Sequence, residues 1–381
     1  MKYYIIAGEA SGDLHGANLM RAILCRDSKA EIRFWGGDRM AAVGGTMVRH
    51  IRDLAYMGLW EVATHLRAVL GNIAFCKKDV AAFQPDAMIF IDYPGFNLKI
   101  AAFTHQQGRK NFYYISPQIW AWKKGRIKKM RVLLDKLYYI QPFERQFYAA
   151  NSFPQAEYVG HPLLDEVDNF RKAHPATDQT STQRKVIALL PGSRRQEIKR
   201  SMSAFLYIAA RHPEYDFRIA GMSLLGKECY ARYLRRYALG NLTLVMDDTY
   251  GLLSQSYAAL VCSGTATLET CLFNVPQVVC YRTSVVTAEV ARQLLKIKYI
   301  SLVNLIVDRP VVKELVQENF THGKLEHEFH LLTQDDAYRA TMLQGYSDVR
   351  EVLGGGGASE RTAQAILAEL HHNMINTNKD I

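Results

Sequence analysis

The sequence predicts an α/β protein with two doubly wound domains in series, each built on a mostly parallel sheet. Strand-like and helix-like segments alternate through residues 1–169 and again through residues 185–353, a pattern typical of βαβ units. Residues 170–184 are polar and have no apolar period, so we interpret them as a linker. A chain of 381 residues is also longer than one hydrophobic core usually organises.

Short apolar runs define the predicted strands. In the first domain they lie at residues 2–7, 32–35, 87–91, 111–115, 136–140 and 157–159, and in the second at 186–190, 217–220, 242–245, 258–262 and 277–281. Amphipathic segments predict helices, among them 13–25, 61–83, 98–107, 124–134, 196–210, 288–295 and 335–353. A closing helix is predicted over 359–371, with Ser359 as its N-cap, and we expect it to pack back onto the first domain.

Charge and cysteine usage narrow the possible functions. The net charge of +10 admits a phosphorylated substrate, anionic lipid or nucleic acid as a partner. No zinc-finger spacing, RNA-binding motif or basic arm occurs, so we do not expect nucleic acid. The six cysteines show no CxxC pair and are interpreted as buried thiols of a reducing compartment. No signal peptide and no apolar run of roughly eighteen residues is evident, which predicts a cytosolic or peripheral membrane protein.

The stretch AALVCSGTATLET, residues 258–270, is a candidate anion-binding site. Its apolar strand turns on Ser263, Gly264 and Thr265 and then opens a helix, where free amides and the helix dipole favour a phosphate. Glu269, one turn into the helix, can reach hydroxyl groups beside that phosphate. These features predict a nucleotide-linked ligand, and a capped βα turn with a purely structural role is the alternative.

A basic turn in LLPGSRRQEIKR, residues 189–200, repeats this geometry in the same domain. The amides of Pro191-Gly192-Ser193 are interpreted as a phosphate cradle, and Arg194 can form charge-assisted bonds to a diphosphate. A solvated basic turn is the alternative. The G-K-[ST] of a Walker A loop is missing, and the chain has no D-x-D pair or His/Cys/carboxylate cluster. We therefore expect neither a metal nor a cofactor.

Two motifs follow strands of the first domain. IDYPGFN, residues 91–97, places Asp92 at a strand end, where a partly desolvated carboxylate makes a good general base. A carboxylate satisfied by neighbouring amides is the alternative. GEASGDLHG, residues 8–16, is a small turn whose glycines permit close approach by a ligand or by another backbone segment. It is not a G-x-G-x-x-G fingerprint, which disfavours an NAD-type dehydrogenase.

Three further stretches combine polar or basic residues with apolar ones. Asn304 and Gln317, in residues 300–320, are amides in apolar surroundings and need either ligand or structural partners. Tryptophans and basic residues at 113–129 predict an acceptor-site wall or a helix that touches anionic lipid, with a core tryptophan pair as the alternative. Residues 57–73 predict a helix at a membrane interface, with an ordinary core helix as the alternative.

In their order and spacing, these motifs together with GHPLLDEV, YRTS, SLVNLI and KELVQEN resemble the lipid-A-disaccharide synthase family of GT-B glycosyltransferases. The resemblance implies two domains facing a cleft, the first acceptor- and membrane-facing and the second binding the UDP-sugar. It implies metal-independent transfer from UDP-2,3-diacylglucosamine to 2,3-diacylglucosamine 1-phosphate, giving a β-1′,6-linked disaccharide. It also implies a homodimer, formed through the C-terminal part, on the cytosolic face of the inner membrane.

For such a transfer we hypothesise a single inverting displacement and assign roles to single residues. Asp92 is expected to deprotonate the acceptor 6-hydroxyl, with His15 as the second candidate for the base. Charge on the diphosphate is expected to be stabilised by Arg194 and by the turn of Ser263, Gly264 and Thr265, while Glu269 holds the ribose. Four residues are expected to shape the sugar and phosphate sites: Ser11, Gly12, Asn304 and Gln317.

Two other functions fit the same architecture. A GT-B sugar-nucleotide 2-epimerase would act on a single UDP-sugar without a lipid acceptor, and residues 57–73 and 120–131 argue against it. A non-catalytic module that binds a nucleotide sugar or a lipid would tolerate the loss of Asp92.

Overall fold

The structure is a computed structural model that describes residues 1–54, 66–120, 125–175, 184–283 and 298–377. It divides into two compact units, each with an entirely parallel sheet. The first unit comprises Met1–Pro162 and Gly356–Ile381, and the second comprises Leu163–Gly355. The predicted α/β class with two doubly wound sheets is confirmed.

The first unit has seven strands in the order β3-β2-β1-β4-β5-β6-β7. The strands are β1 (Lys2–Ala7), β2 (Glu31–Gly36), β3 (Thr46–His50), β4 (Ala87–Ile91), β5 (Lys110–Tyr114), β6 (Lys136–Tyr139) and β7 (Ala156–Tyr158). Its helices are α1 (Ala10–Leu24), α2 (Asp38–Val43), α3 (Leu66–Phe83), α4 (Pro94–Gln106), α5 (Arg126–Leu133) and α6 (Glu144–Ala150).

Both faces of this first sheet are buried, as a parallel sheet with crossover helices requires. Successive residues of β1 alternate between the faces because strand side chains have a period of two. Tyr3 and Ile5 join the core that includes α1, whereas Tyr4 and Ile6 join the core that includes α3 and α4. All four side chains are fully buried.

The second unit has six strands in the order β10-β9-β8-β11-β12-β13. They are β8 (Val186–Leu190), β9 (Asp216–Gly221), β10 (Leu242–Met246), β11 (Ser256–Cys262), β12 (Gln277–Tyr281) and β13 (Lys313–Val316). The helices are α7 (Pro162–Ala173), α8 (Arg195–Arg211), α9 (Glu228–Tyr237), α10 (Thr249–Ser254), α11 (Thr265–Leu272), α12 (Leu302–Val307), α13 (His322–Gln334) and α14 (Asp336–Leu353).

The closing helix α15 (Ala358–Thr377) belongs to the first unit and packs against α1. The prediction that Ser359 caps this helix is wrong. The helix begins one residue earlier, at Ala358, and the buried Ser359 hydroxyl lies 3.3 Å from the Tyr114 hydroxyl. Arg361 fixes the same end, since its Nε donates to the Val159 carbonyl over 2.8 Å.

Several local predictions differ from the structure. Helix α7 continues through residues 170–173 of the segment interpreted as a linker, and residues 176–183 lie outside the described part. The elements α2, β3, α12, β13 and α13 were not predicted from the sequence, since most of them are short and their apolar periods span too few residues. Most cysteines are buried thiols, but Cys25 is exposed. The helix predicted at 288–295 also lies outside the described residues.

The strand order brings the loop after β1 close to the loop after β4, and the loop after β8 close to the loop after β11. β1 and β4 are neighbours whose chain connections lead to opposite sides, and β8 and β11 stand in the same relation in the second sheet. Such a switch point leaves a crevice outside the carboxyl ends of the two strands, where doubly wound sheets bind ligands. Residues 8–16 and 91–97 therefore meet at the switch point of the first unit, and residues 191–195 and 263–269 at that of the second.

Candidate active site

Asp92 stands in a constrained turn between β4 and α4. Asp92 and Tyr93 have φ angles of 44° and 50°, a left-handed conformation that is uncommon for residues other than glycine. The main-chain oxygen of Asp92 accepts hydrogen bonds from Asn97 Nδ2 at 2.8 Å and from the Tyr113 hydroxyl. Gly8 lets the ring of Tyr93 lie close, because a Cβ there would be 2.3 Å from that ring. These contacts fix the main chain of Asp92 and, with it, the direction in which its Cα–Cβ bond leaves the turn.

The electrostatics of this turn suit a general base. Burial, and secondly the charge of Glu9, raise the pKa of Asp92 to about 7, while the amide of Tyr93 opposes the rise. Among the described residues, no lysine, arginine or histidine forms an ion pair with the Asp92 carboxylate. A carboxyl group that loses its proton near neutrality can accept one from a hydroxyl more readily than an ordinary carboxylate can.

His15, the second candidate base, is buried in α1. Burial, and secondly the charge of Arg39, lower its pKa to about 4. Its Nδ1 has no hydrogen-bond partner within the described part of the chain. Because protonation of this imidazole is unfavourable, the pKa directions favour Asp92 as the base.

The GEASGD turn is largely occupied by packing. Gly12 is buried, and a Cβ on it would lie 3.2 Å from the Cβ of Ala7, so this glycine brings α1 close to β1. The carboxylate of Asp13 accepts the amide of Gly37 at 2.7 Å and so ties α1 to the turn after β2. Ser11 is exposed in the first turn of α1. Of the predicted pair, Ser11 is accessible to a ligand, while the Gly12 position serves helix–strand packing.

Two buried titratable residues near the same strand ends were not singled out from the sequence. Glu144 follows β6, and burial raises its pKa to about 8. His161 follows β7, and burial, then the neighbouring His15, lower its pKa to about 3. Gln141 connects them, since its amide donates to Glu144 Oε2 at 3.2 Å and its Nε2 lies 3.3 Å from His161 Nε2. A weaker signal was available, because Glu144 lies five residues after the end of β6 and His161 three residues after the end of β7, in the segments that leave the carboxyl edge of the sheet.

In the second unit, the turn between β11 and α11 is open at Gly264. This residue has a φ of 150°, and a Cβ on it would meet no atom within 4 Å. Thr265 begins α11 and is exposed, and among the described residues neither its amide nor that of Gly264 donates a hydrogen bond, so a phosphate can bind these two groups. The Ser263 hydroxyl instead donates to the Ile300 carbonyl over 3.0 Å. Gly264 and Thr265 therefore fit the predicted phosphate contact better than the Ser263 side chain does.

The turn before α8 differs from its prediction. Glu197 Oε2 accepts the amides of Ser193 at 2.9 Å and Arg194 at 3.2 Å, so a carboxylate of the chain already occupies the expected phosphate cradle. Gly192 permits this closure, because a Cβ there would lie 2.5 Å from that oxygen. The side chain of Arg194 is 73% exposed and its Nη1 lies 3.0 Å from Glu197 Oε1. The exposed group of this turn that an anion could contact is therefore the Arg194 guanidinium, and its role in ligand binding stays a prediction.

Glu269 lies one turn into α11, as the sequence indicated. Its Oε1 accepts a hydrogen bond from the Tyr250 hydroxyl at 3.1 Å, and Tyr250 packs against Phe273. Burial raises the pKa of Glu269, and the Tyr250 hydrogen bond opposes that shift. The tyrosine thus orients one carboxyl oxygen of Glu269.

Asn304 and Gln317 bond to the protein itself. Asn304 Nδ2 donates to the Val312 carbonyl and to Glu314, both at 2.9 Å, and its Oδ1 accepts the amides of residues 311 and 312. Gln317 Oε1 accepts the amide of Thr283 at 3.1 Å. Both the nitrogen and the oxygen of the Asn304 carboxamide are bonded within the protein, which favours a structural role for this residue over ligand binding. The role of Gln317 in ligand binding stays a prediction.

The two candidate lipid-facing segments are described in part. Residues 57–65 and 121–124 lie outside the described residues. On α3, Leu70 and Phe75 are 51% and 42% exposed, although Ile73 on the same helix is buried. Trp120 packs edge-on against Phe143, with ring centroids 4.8 Å apart. None of the described helices has both the length and the apolar character to cross a membrane.

Comparisons with known proteins agree with this architecture. A family model described as lipid-A-disaccharide synthetase matches residues 3–368. The lipid-A-disaccharide synthase of Trichlorobacter lovleyi is 36% identical over 370 residues, which cover 96% of each chain. The UDP-GlcNAc 2-epimerase from Neisseria meningitidis, solved with UDP-GlcNAc, superposes with a TM-score of 0.67 at 15% identity, covering 97% of this chain and 100% of that one. The glycosyltransferase of kitacinnamycin superposes with a TM-score of 0.68 at 13% identity, covering 97% of this chain and 99% of that one.

These comparisons separate fold from family. The solved structures share the GT-B fold at low identity and include both epimerases and glycosyltransferases. The fold alone therefore does not distinguish between the two reactions. The family model and the curated relatives cover nearly the whole chain and favour the glycosyltransferase over the epimerase. On that evidence the chain belongs to the lipid-A-disaccharide synthase family of glycosyltransferases.

Proposed function

We propose that this protein transfers 2,3-diacylglucosamine from its UDP derivative to 2,3-diacylglucosamine 1-phosphate, giving the β-1′,6-linked disaccharide and UDP. Membership of the family supports the substrate pair. The observation that carries the mechanism is the Asp92 carboxyl, fixed in a left-handed turn at a switch point, with burial raising its pKa to about 7. The first unit supplies the acceptor side, and the second unit the donor side.

The reaction is a single inverting displacement. Asp92 takes the proton of the acceptor 6-hydroxyl as that oxygen attacks the anomeric carbon of the donor. The new C–O bond forms opposite the UDP, and the bond to the diphosphate oxygen breaks with its electron pair leaving on UDP. A positioned general base contributes about 10²–10⁴-fold to such a step.

The leaving diphosphate gains negative charge, which the second unit stabilises. The exposed guanidinium of Arg194 and the open amides of Gly264 and Thr265 are the groups suited to that charge. Groups already pointing at the place where charge develops lower the barrier without reorganising. Glu269, oriented by Tyr250, accepts hydrogen bonds from the ribose hydroxyls.

The test compares purified protein with both substrates and with the UDP-sugar alone, followed by mass spectrometry of lipids and nucleotides. Disaccharide and UDP formed in equal amounts, and in the complete mixture alone, are the expected result. An epimerised UDP-sugar in the donor-only reaction would establish the epimerase alternative. Binding of the UDP-sugar without any product in either mixture would establish a non-catalytic module.

We further propose that the protein binds the cytosolic face of the inner membrane through α3 and α5. Leu70 and Phe75 are exposed on α3 beside the exposed Arg67 and Lys78, which suits an anionic bilayer. Helix α5 adds exposed cations, including Lys128. The apolar groups would enter the interface while the cations meet lipid phosphates.

Vesicle flotation tests this contact. The double variant Leu70→Ser/Phe75→Ser should bind vesicles containing phosphatidylglycerol at least tenfold more weakly than the unaltered protein. Val352→Ser, which changes a 44% exposed residue on α14 of the other unit, is the control and should bind normally. Equal binding by the double variant would remove α3 from the membrane contact.

We also propose a homodimer formed through the C-terminal part of the chain, as the family resemblance implies. Sedimentation of the detergent-dispersed protein should give twice the chain mass of 43.3 kDa. A single species at the mass of one chain across the concentration range would contradict the dimer.

A further inference from the structure

A half-buried carboxylate of the second unit receives four hydrogen bonds from one short segment. Glu314 lies in β13, and the segment is the approach to α12. Oε1 of Glu314 accepts the Ser301 amide at 2.9 Å, the Ser301 hydroxyl at 2.8 Å and Asn304 Nδ2 at 2.9 Å. Its Oε2 accepts the Ile300 amide at 3.0 Å. Among the described residues no cation pairs with this carboxylate, so its partners are these neutral donors.

The same segment contacts the turn that is the candidate phosphate site. The Ser263 hydroxyl donates to the Ile300 carbonyl over 3.0 Å. Ile300 therefore bonds through its amide to Glu314 and through its carbonyl to Ser263. Two direct hydrogen bonds, both to the main chain of one residue, connect the Glu314 carboxylate to the residue that precedes Gly264 and Thr265.

This turn needs an anchor outside itself. Gly264 has a φ of 150°, and a Cβ on it would meet no atom within 4 Å, so side-chain packing does not restrain it. Glycine also loses more conformational freedom on ordering than other residues. The restraint comes from Ser263, whose amide donates to the Cys280 carbonyl of β12 at 3.3 Å and whose hydroxyl donates to Ile300. Because Ile300 belongs to no helix or strand, its own position depends on Glu314.

We propose that Glu314 is a positioning residue for the donor diphosphate: it holds Ile300 against the Ser263 hydroxyl and so fixes the open amides of Gly264 and Thr265. The inference rests on the proposed function, in which those amides meet the diphosphate of the UDP-sugar. Amides that are already in place bind an anion without the cost of being ordered first. Ser263 then acts through the main chain of the turn and not as a direct phosphate contact.

Glu314→Gln isolates the bond to Ile300. A carboxylate offers only acceptors, whereas a carboxamide has one acceptor and one donor group. With its oxygen in place of Oε1, the glutamine keeps the bonds to Ser301 and Asn304 and turns an NH₂ group toward the Ile300 amide, which is also a donor. Calorimetry should show UDP binding about fivefold more weakly, the usual effect of one hydrogen bond. KM for the UDP-sugar should rise with it while KM for the acceptor stays unchanged, a split that general destabilisation would not produce.

A double-mutant cycle with Ser263→Ala tests whether the two residues act through one another. Ser263→Ala removes the hydroxyl that bonds to Ile300 and should also weaken UDP binding about fivefold. The double variant should bind UDP about as weakly as either single variant, because the second change breaks a connection that the first has already broken. Independent effects would multiply to about 25-fold and overturn the inference. An unaltered UDP affinity in Glu314→Gln would overturn it as well.

Glu328→Gln is the matched control. This acid lies 3.5 Å from Lys313, the neighbour of Glu314 in β13, whose side chain leaves the opposite face of the sheet. UDP affinity should be unchanged in this variant, and a loss equal to that of Glu314→Gln contradicts the inference.

Gly264→Ala separates the inference from the proposed function. If it weakens UDP binding while Glu314→Gln and Ser263→Ala do not, the role of Glu314 fails and the phosphate turn stands. If UDP binds normally to Gly264→Ala, the phosphate turn itself fails, and the role of Glu314 fails with it.

Discussion

The two switch points of this molecule differ in the burial and charge of the side chains that lie at them. In the first unit, the strand ends carry buried groups whose pKa values are displaced by burial: Asp92 and Glu144 upward, His15 and His161 downward. In the second unit, the strand ends carry the exposed Arg194 and the open amides beside Gly264. The titratable groups of the first unit are buried, whereas the candidate anion-binding groups of the second unit are exposed and include a cation.

This difference suits the two tasks of the proposed reaction, which are deprotonation of the acceptor hydroxyl and stabilisation of the leaving diphosphate. A hydroxyl is deprotonated near neutral pH by a carboxyl group whose charge has been made less favourable, which requires burial. A diphosphate arrives fully charged and is held by groups that keep their own charge, which requires exposure until the ligand covers them. The following substitutions test this contrast between the buried groups of the first unit and the exposed groups of the second.

The largest effect is expected on the buried side. Asp92→Asn preserves the size of the side chain and removes its proton affinity, so turnover should fall by about 10³-fold. UDP affinity, measured by calorimetry on the same preparation, should change less than threefold. A turnover within threefold of the unaltered protein would show that the buried side does not supply the base.

The exposed side should show the next largest effect. Arg194→Ala removes a cation from the developing diphosphate charge, and kcat should fall by about 10²-fold. Arg195→Ala is the matched control, since that exposed neighbour donates to the Leu225 carbonyl and has no assigned ligand role. Equal losses from both arginines would indicate general electrostatic attraction in place of a specific contact.

A smaller effect is expected at the open turn. Gly264→Ala forces an alanine to adopt a φ of 150°, which costs about 1–3 kcal/mol of strain although space for the Cβ is available. UDP affinity should fall about tenfold and Tm should fall by a few degrees. Gly323→Ala, in helix α13 with equal free space, should leave both unchanged or raise Tm slightly. A normal UDP affinity in Gly264→Ala would remove this turn from the donor site.

The smallest effect should come from Glu197, the carboxylate that closes the turn before α8. Glu197→Ala releases the amides of Ser193 and Arg194, which costs about 1 kcal/mol, the usual worth of a helix cap. Thermal denaturation should show Tm lower by about 2–4 °C. An unchanged Tm together with tighter UDP binding would show that those amides serve the ligand after all.

The sequence predicted the strand-end motifs because periodicity locates buried strands, and a polar residue directly after one must lie at the carboxyl edge of the sheet. That reasoning found Asp92 directly after β4 and located the segments after β8 and β11 that contain Arg194 and Glu269. The segments after β6 and β7, which contain Glu144 and His161, were passed over. Burial was the missing quantity. Whether a carboxyl group merely follows a strand or is also enclosed depends on how the neighbouring strands and helices pack around it, which local sequence does not determine.

The sequence could not predict which polar groups satisfy one another. The amides of the turn before α8 looked available for phosphate, but Glu197 folds back onto them across one helical turn. Asn304 looked like a ligand contact, but four hydrogen bonds use its carboxamide, three with residues 311 and 312 and one with Glu314. Such closures depend on side-chain directions that composition and spacing leave open.

The most direct test of the account is kcat/KM for the acceptor as a function of pH, in the unaltered protein and in Asp92→Asn. The account predicts a rise through about pH 7 in the unaltered protein, since burial raises the pKa of Asp92 to that range and the charged form is the active one. Asp92→Asn should show a low rate without that rise. The same rise in both proteins, or a flat profile in the unaltered one, would contradict Asp92 as the base.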